Sequence, residues 1–131
     1  MAREYTVYLD GTTRTLKYKV SDREAIEELF LRGDGTPTSL WTLMSTHLVG
    51  AGSIKVQKAL LWGGLRHLGE KWTLEKVGTD LQRALDEGTL LKDINTTVFK
   101  ALMISGVLGE SRDMDALAEA AATGKDETAA T

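Results

Sequence analysis

The side chains that could perform acid–base or metal chemistry are few and far apart in this sequence. His47 and His67 are its two histidines, and a histidine can act as a general base or bind a metal near neutral pH. A zinc or hydrolytic site needs further groups at a fixed spacing, such as H-x-x-x-H or H-E-x-x-H. Neither spacing occurs, and no carboxylate cluster accompanies either histidine. We therefore expect both histidines to have structural or surface roles.

Motifs for nucleophilic catalysis and for phosphate binding are also missing from the sequence. Ser45, Ser53 and Ser105 lack the surroundings of a nucleophile elbow. The segments GDG (33–35) and GAG (50–52) are too short for phosphate-binding loops. The chain has no cysteine, which excludes disulfides and thiolate metal sites. The sequence therefore predicts neither an enzyme nor a bound cofactor.

The residues best suited to binding a partner lie in and beside one helical segment, KALLWGGLRH, at 58–67. At 100° per residue, one arc of roughly 80° holds four of them, opposite the leucines. These four residues, here called the Trp62 surface, are Lys55, Lys58, Trp62 and Arg66. Tryptophan and arginine are frequent hot-spot residues in interfaces, so we expect a partner-binding surface. A tryptophan packed under the N-terminal hairpin with a solvated rim of cations, and a nucleic-acid surface, remain alternative interpretations.

Two adjacent glycines, Gly63 and Gly64, lie on the other side of the same helix. Each glycine costs about 1 kcal/mol relative to alanine in a helix interior. Close approach of a neighbouring backbone would offset that cost, and a kink would also explain the pair. The sequence leaves both explanations open.

Alternating apolar residues around a turn motif predict an N-terminal β-hairpin. The alternating residues are Tyr5, Val7, Leu9, Leu16, Tyr18 and Val20. A two-residue turn at Asp10 and Gly11 would pair Val7 with Arg14, whereas a four-residue turn would pair Val7 with Leu16. We prefer the four-residue turn because it places apolar residues opposite each other. A hairpin of this size is marginal alone and must pack on other elements.

Start signals and apolar stripes predict helices after the hairpin. The first begins at SDRE (21–24), where Ser21 as N-cap and Glu24 three residues later match a capping box. Ser53, Thr73 and Thr89 are predicted N-caps of later helices, and an apolar segment at 38–49 predicts another. The predicted fold is α+β and mostly α, with an N-terminal β-hairpin packed on a bundle of about four to five helices.

Two of the predicted helices have distinct apolar and polar faces. The helix after Thr73 is amphipathic, with Val77 and Leu81 on its apolar face and Asp80 on its polar face. The helix of the Trp62 surface should bury Ile54 together with its leucines.

Composition divides the chain into one domain and a tail. A length of 131 residues favours a single globular domain, which we place at 1–108. Residues 109–131 are rich in alanine, threonine and acidic residues without any aromatic residue, so we expect a flexible tail. No apolar signal segment occurs at the N-terminus, and no stretch approaches 18 consecutive apolar residues. The sequence therefore predicts neither standard secretion nor a membrane span.

Two of the helical segments together resemble a known family. ALLWGGLRH (59–67), followed after a short gap by WTLEKVGTDL (72–81), is similar to the tail assembly chaperones of long-tailed, siphovirus-type bacteriophages. That family has an apolar L-L-W-x-G-L-R-H helix and then T-L-E-x-V-G at a helix start. The hairpin and following helix are similar too, so the resemblance covers about residues 3–108. The segment at 32–53 is longer than the family pattern, and its loops do not align.

The resemblance implies a non-catalytic role in viral tail assembly. Family members bind the tape measure protein in the host cytoplasm, keep this long helical chain soluble, help to recruit tail tube subunits and are absent from the mature virion. Many also have a longer form made by a programmed ribosomal frameshift, and Gly124-Lys125 would suit a slippery codon pair. The implied partners are the tape measure protein, the tail tube protein through the longer form, and a second copy of the chaperone.

Two further classes remain as alternatives. A winged-helix-like DNA-binding regulator also combines a hairpin with helices and a basic helix face. The net charge of −3 counts against it, because binding to nucleic acid depends on neutralising phosphates. A structural head-tail or neck protein of the virion is the other alternative, and its presence in purified particles would distinguish it from a chaperone.

Overall fold

The computed structural model describes residues 5–47 and 53–108 of the chain. Within these ranges an antiparallel two-stranded hairpin precedes five α-helices, which confirms the predicted α+β, mostly α class. The elements are β1 (Tyr5–Leu9), β2 (Thr12–Leu16), α1 (Val20–Glu27), α2 (Leu40–His47), α3 (Ile54–Leu65), α4 (Leu74–Asp86) and α5 (Leu91–Ser105). A 3₁₀ turn at Arg66–Leu68 follows α3. The predicted flexible tail at 109–131 lies outside the described residues.

The turn of the hairpin differs from the prediction. Val7 pairs with Arg14, so Asp10 and Gly11 alone connect the two strands. Their φ angles are 56° and 76°, as in a type I′ turn, whose twist matches that of the flanking strands. The predicted four-residue turn, with Val7 opposite Leu16, is therefore wrong. A register shift of two residues leaves each side chain on the same face, so the apolar pattern could not decide between the two turns.

Helix α1 begins before the predicted capping box. Its N-cap is Lys19, and the carboxylate of Asp22 accepts a hydrogen bond from the Lys19 backbone N–H at 2.8 Å. Ser21 is therefore the second residue of the helix, and its predicted role as N-cap is wrong. The acidic residue that reaches back to the cap is Asp22 rather than Glu24, because the helix starts two residues earlier.

The starts of α3 and α4 agree with the prediction. The Ser53 hydroxyl accepts the N–H of Lys55 at 3.1 Å, and the Thr73 hydroxyl accepts the N–H of Lys76 at the same distance. Both helices therefore begin with a side chain that satisfies one of their free N–H groups.

The predicted cap of α5 at Thr89 is wrong, because Thr89 belongs to the end of α4. The N–H of Thr89 donates to the carbonyl of Ala84, and the N–H of Gly88 donates to the carbonyl of Leu85. This pair of bonds is the Schellman arrangement that closes a helix. Helix α5 then starts after Leu90, which makes no capping bond through its side chain.

Helix α3 lies at the centre of the fold, in contact with β2, α1, α2, α4 and α5. The core around it contains Val7, Leu9, Leu16, Tyr18, Ile26, Leu40, Met44, Leu60, Leu61, Leu65, Trp72, Val77, Val98 and Leu102. Two residues differ from their predicted environments. Ile54, expected in the core, is 54% exposed at the first turn of α3, and Asp80, expected on a polar face, is 3% exposed.

Close approach explains the two glycines of α3. A Cβ atom at Gly63 would lie 2.8 Å from Cγ1 of Ile26 in α1, and one at Gly64 would lie 2.7 Å from Cζ of Tyr18. The carbonyl of Gly64 also accepts the backbone N–H of Lys17 at 2.9 Å. The helix continues through both glycines, so their missing side chains allow α1 and the hairpin to pack directly on its backbone.

Candidate partner-binding site

The Trp62 surface occupies the side of α3 that the core leaves partly uncovered. Lys55 is exposed, and Lys58, Trp62 and Arg66 are partly buried. The guanidinium of Arg66 lies 5.3 Å from the ring centroid of Trp62. Lys55 instead faces the ring of Phe30 at 6.0 Å, and the Lys58 chain lies against α4. The structure thus brings Trp62 and Arg66 into contact and places the two lysines against other elements.

The indole of Trp62 has one anchored side and one accessible side. Its Nε1–H donates to the backbone carbonyl of Trp72 at 3.0 Å, and its ring packs against the edge of the core. The residue is only partly buried, and the Arg66 guanidinium lies over its ring. Trp62 therefore supports the link between α3 and α4 and also offers an aromatic surface.

Arg66 joins the end of α3 to the start of α1. Its Nη1 lies 2.8 Å from Oδ1 of Asp22 and 3.1 Å from the carbonyl oxygen of Ser21. Asp22 is 5% exposed, and a buried carboxylate is costly unless it is paired and hydrogen-bonded. The arginine therefore compensates a buried charge, while a third of its own side chain stays exposed.

A pocket of about 450 Å³ opens beside Trp62. Its lining combines apolar side chains with both signs of charge. The lining residues are Leu29, Trp62, Arg66, His67, Gly69, Glu70, Trp72, Thr73 and Leu74. Trp62, Arg66 and His67 belong to the first of the two motifs that resemble tail assembly chaperones, and residues 72–74 belong to the second, so both motifs contribute to the pocket.

Sequence reasoning assigned no binding role to Leu29, Glu70 or Trp72. Leu29 follows α1 and is 38% exposed, whereas Trp72 is 2% exposed. Trp72 precedes the N-cap Thr73 and joins the same core as Val77. A large apolar residue at that position with another at the fourth helical residue forms a hydrophobic staple. This spacing could have identified Trp72 as a core residue.

A second cluster of charges surrounds Trp72, and we call it the Trp72 cluster. The guanidinium of Arg14 lies 5.3 Å from the Trp72 ring centroid, and Nζ of Lys76 lies 4.6 Å from it. Nζ of Lys76 is also 2.9 Å from the carboxylate of Asp80 and 3.3 Å from that of Asp10. The cluster therefore fastens the hairpin turn to α4.

The charged groups of the Trp72 cluster shift one another's pKa values. The hydrogen bond and positive charge of Lys76 hold the pKa of Asp10 below its ordinary value. The hydrogen bond to Asp80 is the main cause that raises the pKa of Lys76. Nε1 of Trp72 is buried and has no hydrogen-bond partner within residues 5–47 and 53–108. The indole of Trp72 is thus held by packing and by cations.

The histidines and serines have local contacts. Nε2 of His67 lies 2.7 Å from the carbonyl oxygen of Thr15, on an exposed side chain. His47 is the last residue of α2, and its side chain is outside the described structure. Ser45 and Ser105 donate to backbone carbonyls of their own helices. In the part of the chain that the structure describes, no three histidine or acidic residues lie close enough to hold a metal ion.

Among the described residues, no helix is both long enough and apolar enough to cross a bilayer.

Comparison with known proteins found no relative of this chain: no family model, curated protein or solved structure matches it. The resemblance to tail assembly chaperones therefore depends on the two motifs and on the order of hairpin and helices.

Proposed function

We propose that this protein is a phage tail assembly chaperone that binds the tape measure protein and keeps it soluble. The observation that best supports this proposal is the pocket beside Trp62. Trp62, Arg66 and His67 of the first motif and residues 72–74 of the second line the same cavity, although four residues separate the motifs in sequence. Two motifs that meet at a pocket are well placed to recognise one ligand together.

The chemistry of the pocket suits a helical client. An amphipathic helix can lay its apolar face in a groove lined by aliphatic and aromatic side chains, which Leu29 and Trp62 would supply. Arg66, which lines the pocket, would attract acidic residues beside the client's apolar stripe. Several chaperone copies along one long client would gain affinity through multivalency. Action in the host cytoplasm, recruitment of the tail tube protein by a longer form and absence from the virion belong to the same proposal.

Co-expression with the candidate client tests the proposal. The proposal predicts a very long helical reading frame immediately downstream of this gene, and its product would be the client. We expect it to become soluble and to co-purify with the chaperone. A client that stays insoluble and unbound beside the folded wild-type protein would contradict the proposal.

A matched pair of variants locates the binding surface. Leu29→Asp places a charge in the pocket lining, and Leu90→Asp adds the same charge at a residue outside it. Both leucines are exposed, by 38% and 55%, so we expect both variants to fold. Leu90→Asp also places a favourable cap at the start of α5 and should not lower stability. Leu29→Asp should lose the client while Leu90→Asp keeps it. These variants are cleaner than Trp62→Ala, which would also remove the bond to the Trp72 carbonyl.

The alternatives predict different outcomes. A head-tail or neck protein would be found in purified virions, where a chaperone should be missing. A winged-helix-like regulator would bind a specific duplex, with affinity falling steeply as salt rises.

A further inference from the structure

The two outer edges of the hairpin differ in whether their outward backbone groups are hydrogen-bonded to described residues. In a hairpin closed by a two-residue turn, the residues next to the turn exchange hydrogen bonds, and so does every second residue after them. The residues between them direct N–H and C=O outward. With the observed register, Thr6 and Tyr8 are the outward residues of β1, and Thr13 and Thr15 those of β2.

The β2 edge is covered by the end of α3. The carbonyl of Thr15 contacts the His67 ring at 2.7 Å, and the N–H of Lys17 donates to the Gly64 carbonyl at 2.9 Å. Thr15 and Lys17 are two residues apart, as expected if every second residue on this side of the hairpin directs its backbone groups outward. The outward direction of every second residue is therefore seen directly on this edge.

The β1 edge has no hydrogen-bonded neighbour among the residues that the structure describes. Across residues 5–47 and 53–108, the backbone N–H and C=O groups of Thr6 and Tyr8 have no hydrogen-bond partner. Both residues are exposed, Tyr8 by 54%. Proteins usually protect such an edge with charges, a proline or a bulge. The strand YTVYL contains no charge and no proline, and its pairing with β2 is regular.

We propose that β1 pairs antiparallel with β1 of a second copy of this chain, which joins two hairpins into a four-stranded sheet. If Val7 lies opposite Val7 of the second copy, Thr6 lies opposite Tyr8 of that copy. Each chain then offers two donors and two acceptors at matching positions, and four hydrogen bonds form across a two-fold axis. The surface is its own complement, and within the strand YTVYL no charged residues face each other.

The side chains also favour a second copy as the occupant. The pairing places the exposed Thr6 opposite the exposed Tyr8 of the second copy, a β-branched and aromatic pair of the kind that stabilises neighbouring strands. Val7 and Leu9 stay in the core of their own chain. The proposal does not use the pocket beside Trp62, so it holds or fails independently of the proposed function.

The test compares proline substitutions on the two edges. Tyr8→Pro removes an outward N–H from β1 and leaves the bonds between β1 and β2 intact, and proline is tolerated at such edge positions. Thr13→Pro makes the same change on β2, directly across the hairpin. Light scattering of the full chain should give twice the 14.3 kDa mass of one chain as concentration rises. Tyr8→Pro should weaken this dimer at least about tenfold, whereas Thr13→Pro should not.

Amide hydrogen exchange of the wild-type protein provides a readout that does not depend on a variant. The amides of Thr6 and Tyr8 should exchange more slowly as concentration rises, whereas that of Val7, which is bonded within the hairpin, should be protected throughout. A monomer at all concentrations, a dimer unaffected by Tyr8→Pro, or protection of Thr6 and Tyr8 in the monomer would each overturn the proposal. If Tyr8→Pro fails to fold, Tyr8→Lys replaces it, since an edge lysine disfavours strand pairing.

Discussion

Trp62 and Trp72 both lie beside cations, yet their surroundings differ in burial and in hydrogen bonding. Trp72 is 2% exposed and lies between Arg14 and Lys76, with its indole N–H unpaired within the described ranges. Trp62 is partly exposed, lines a pocket, and donates its N–H to the backbone. A tryptophan among cations can therefore be either a core residue or a surface residue. Burial and the fate of the N–H group distinguish the two.

Replacement of each tryptophan by alanine should give the largest contrast. Trp72→Ala removes a fully buried ring and should reduce the free energy of unfolding by about 3–5 kcal/mol. Trp62→Ala should cost less, about 1–3 kcal/mol, because part of its ring is already in water. Chemical denaturation measures both values. Equal losses would mean that Trp62 is as much a core residue as Trp72.

Phenylalanine variants separate ring volume from hydrogen bonding and serve as controls. Trp62→Phe should lose about 1 kcal/mol for the bond to the Trp72 carbonyl in addition to the loss of packing. Trp72→Phe should lose packing alone.

The cations of the two regions should also differ in importance. Arg66→Ala leaves the buried carboxylate of Asp22 without its ion-pair partner and should cost about 1–3 kcal/mol. In an Asp22→Asn background the same substitution should cost much less, since no buried charge remains. The matched control is Arg83→Ala, at an arginine of α4 beside the Trp72 cluster, whose side chain is 53% exposed and whose Nη1 lies 3.4 Å from the Asp10 carboxylate. We expect a loss there below about 0.5 kcal/mol. A double-mutant cycle that shows no coupling between Arg66 and Asp22 would contradict this contrast.

The smallest expected effect is the part of the pH dependence that comes from the Trp72 cluster. The folded state lowers the pKa of Asp10, mainly through Lys76. Its contribution to stability is therefore present above the unfolded pKa, near 4, and is lost as pH falls through the folded value. Asp10→Asn keeps the turn, because Asn-Gly also favours type I′, and should remove this part of the acid sensitivity. Urea unfolding at pH 7 and at about pH 3 measures it. Parallel losses in variant and wild type would show that Asp10 does not link the hairpin to α4.

Local signals in the sequence predicted the elements but not the polar contacts between them. The alternation in β1 and the hydroxyl caps at Ser53 and Thr73 depend on neighbouring residues, and these predictions agree with the structure. Asp22 and Asp80 are buried because Arg66 and Lys76 compensate their charges. Asp80 was predicted on a polar face, although its partner Lys76 lies one turn earlier in the same helix. The periodicity of α1 carries no information about Arg66, the partner of Asp22 from another element.

The candidate site was predictable only in part. Helical spacing correctly placed the Trp62 surface on the less buried side of α3. The pocket also requires Leu29 from the segment after α1 and residues at the start of α4, and their meeting depends on how tightly these helices pack. The role of the four residues in partner binding remains a prediction.

The paired glycines of α3 have a consequence for the order of folding. An isolated helix of 12 residues is marginal in water, and each interior glycine lowers its stability further. The second half of α3 therefore has little tendency to form before Ile26 and Tyr18 are available to pack on it. Since α3 also contacts α2, α4 and α5, its completion has to coincide with long-range docking. The central helix of the native structure should thus be among the last to become fully helical as the chain folds.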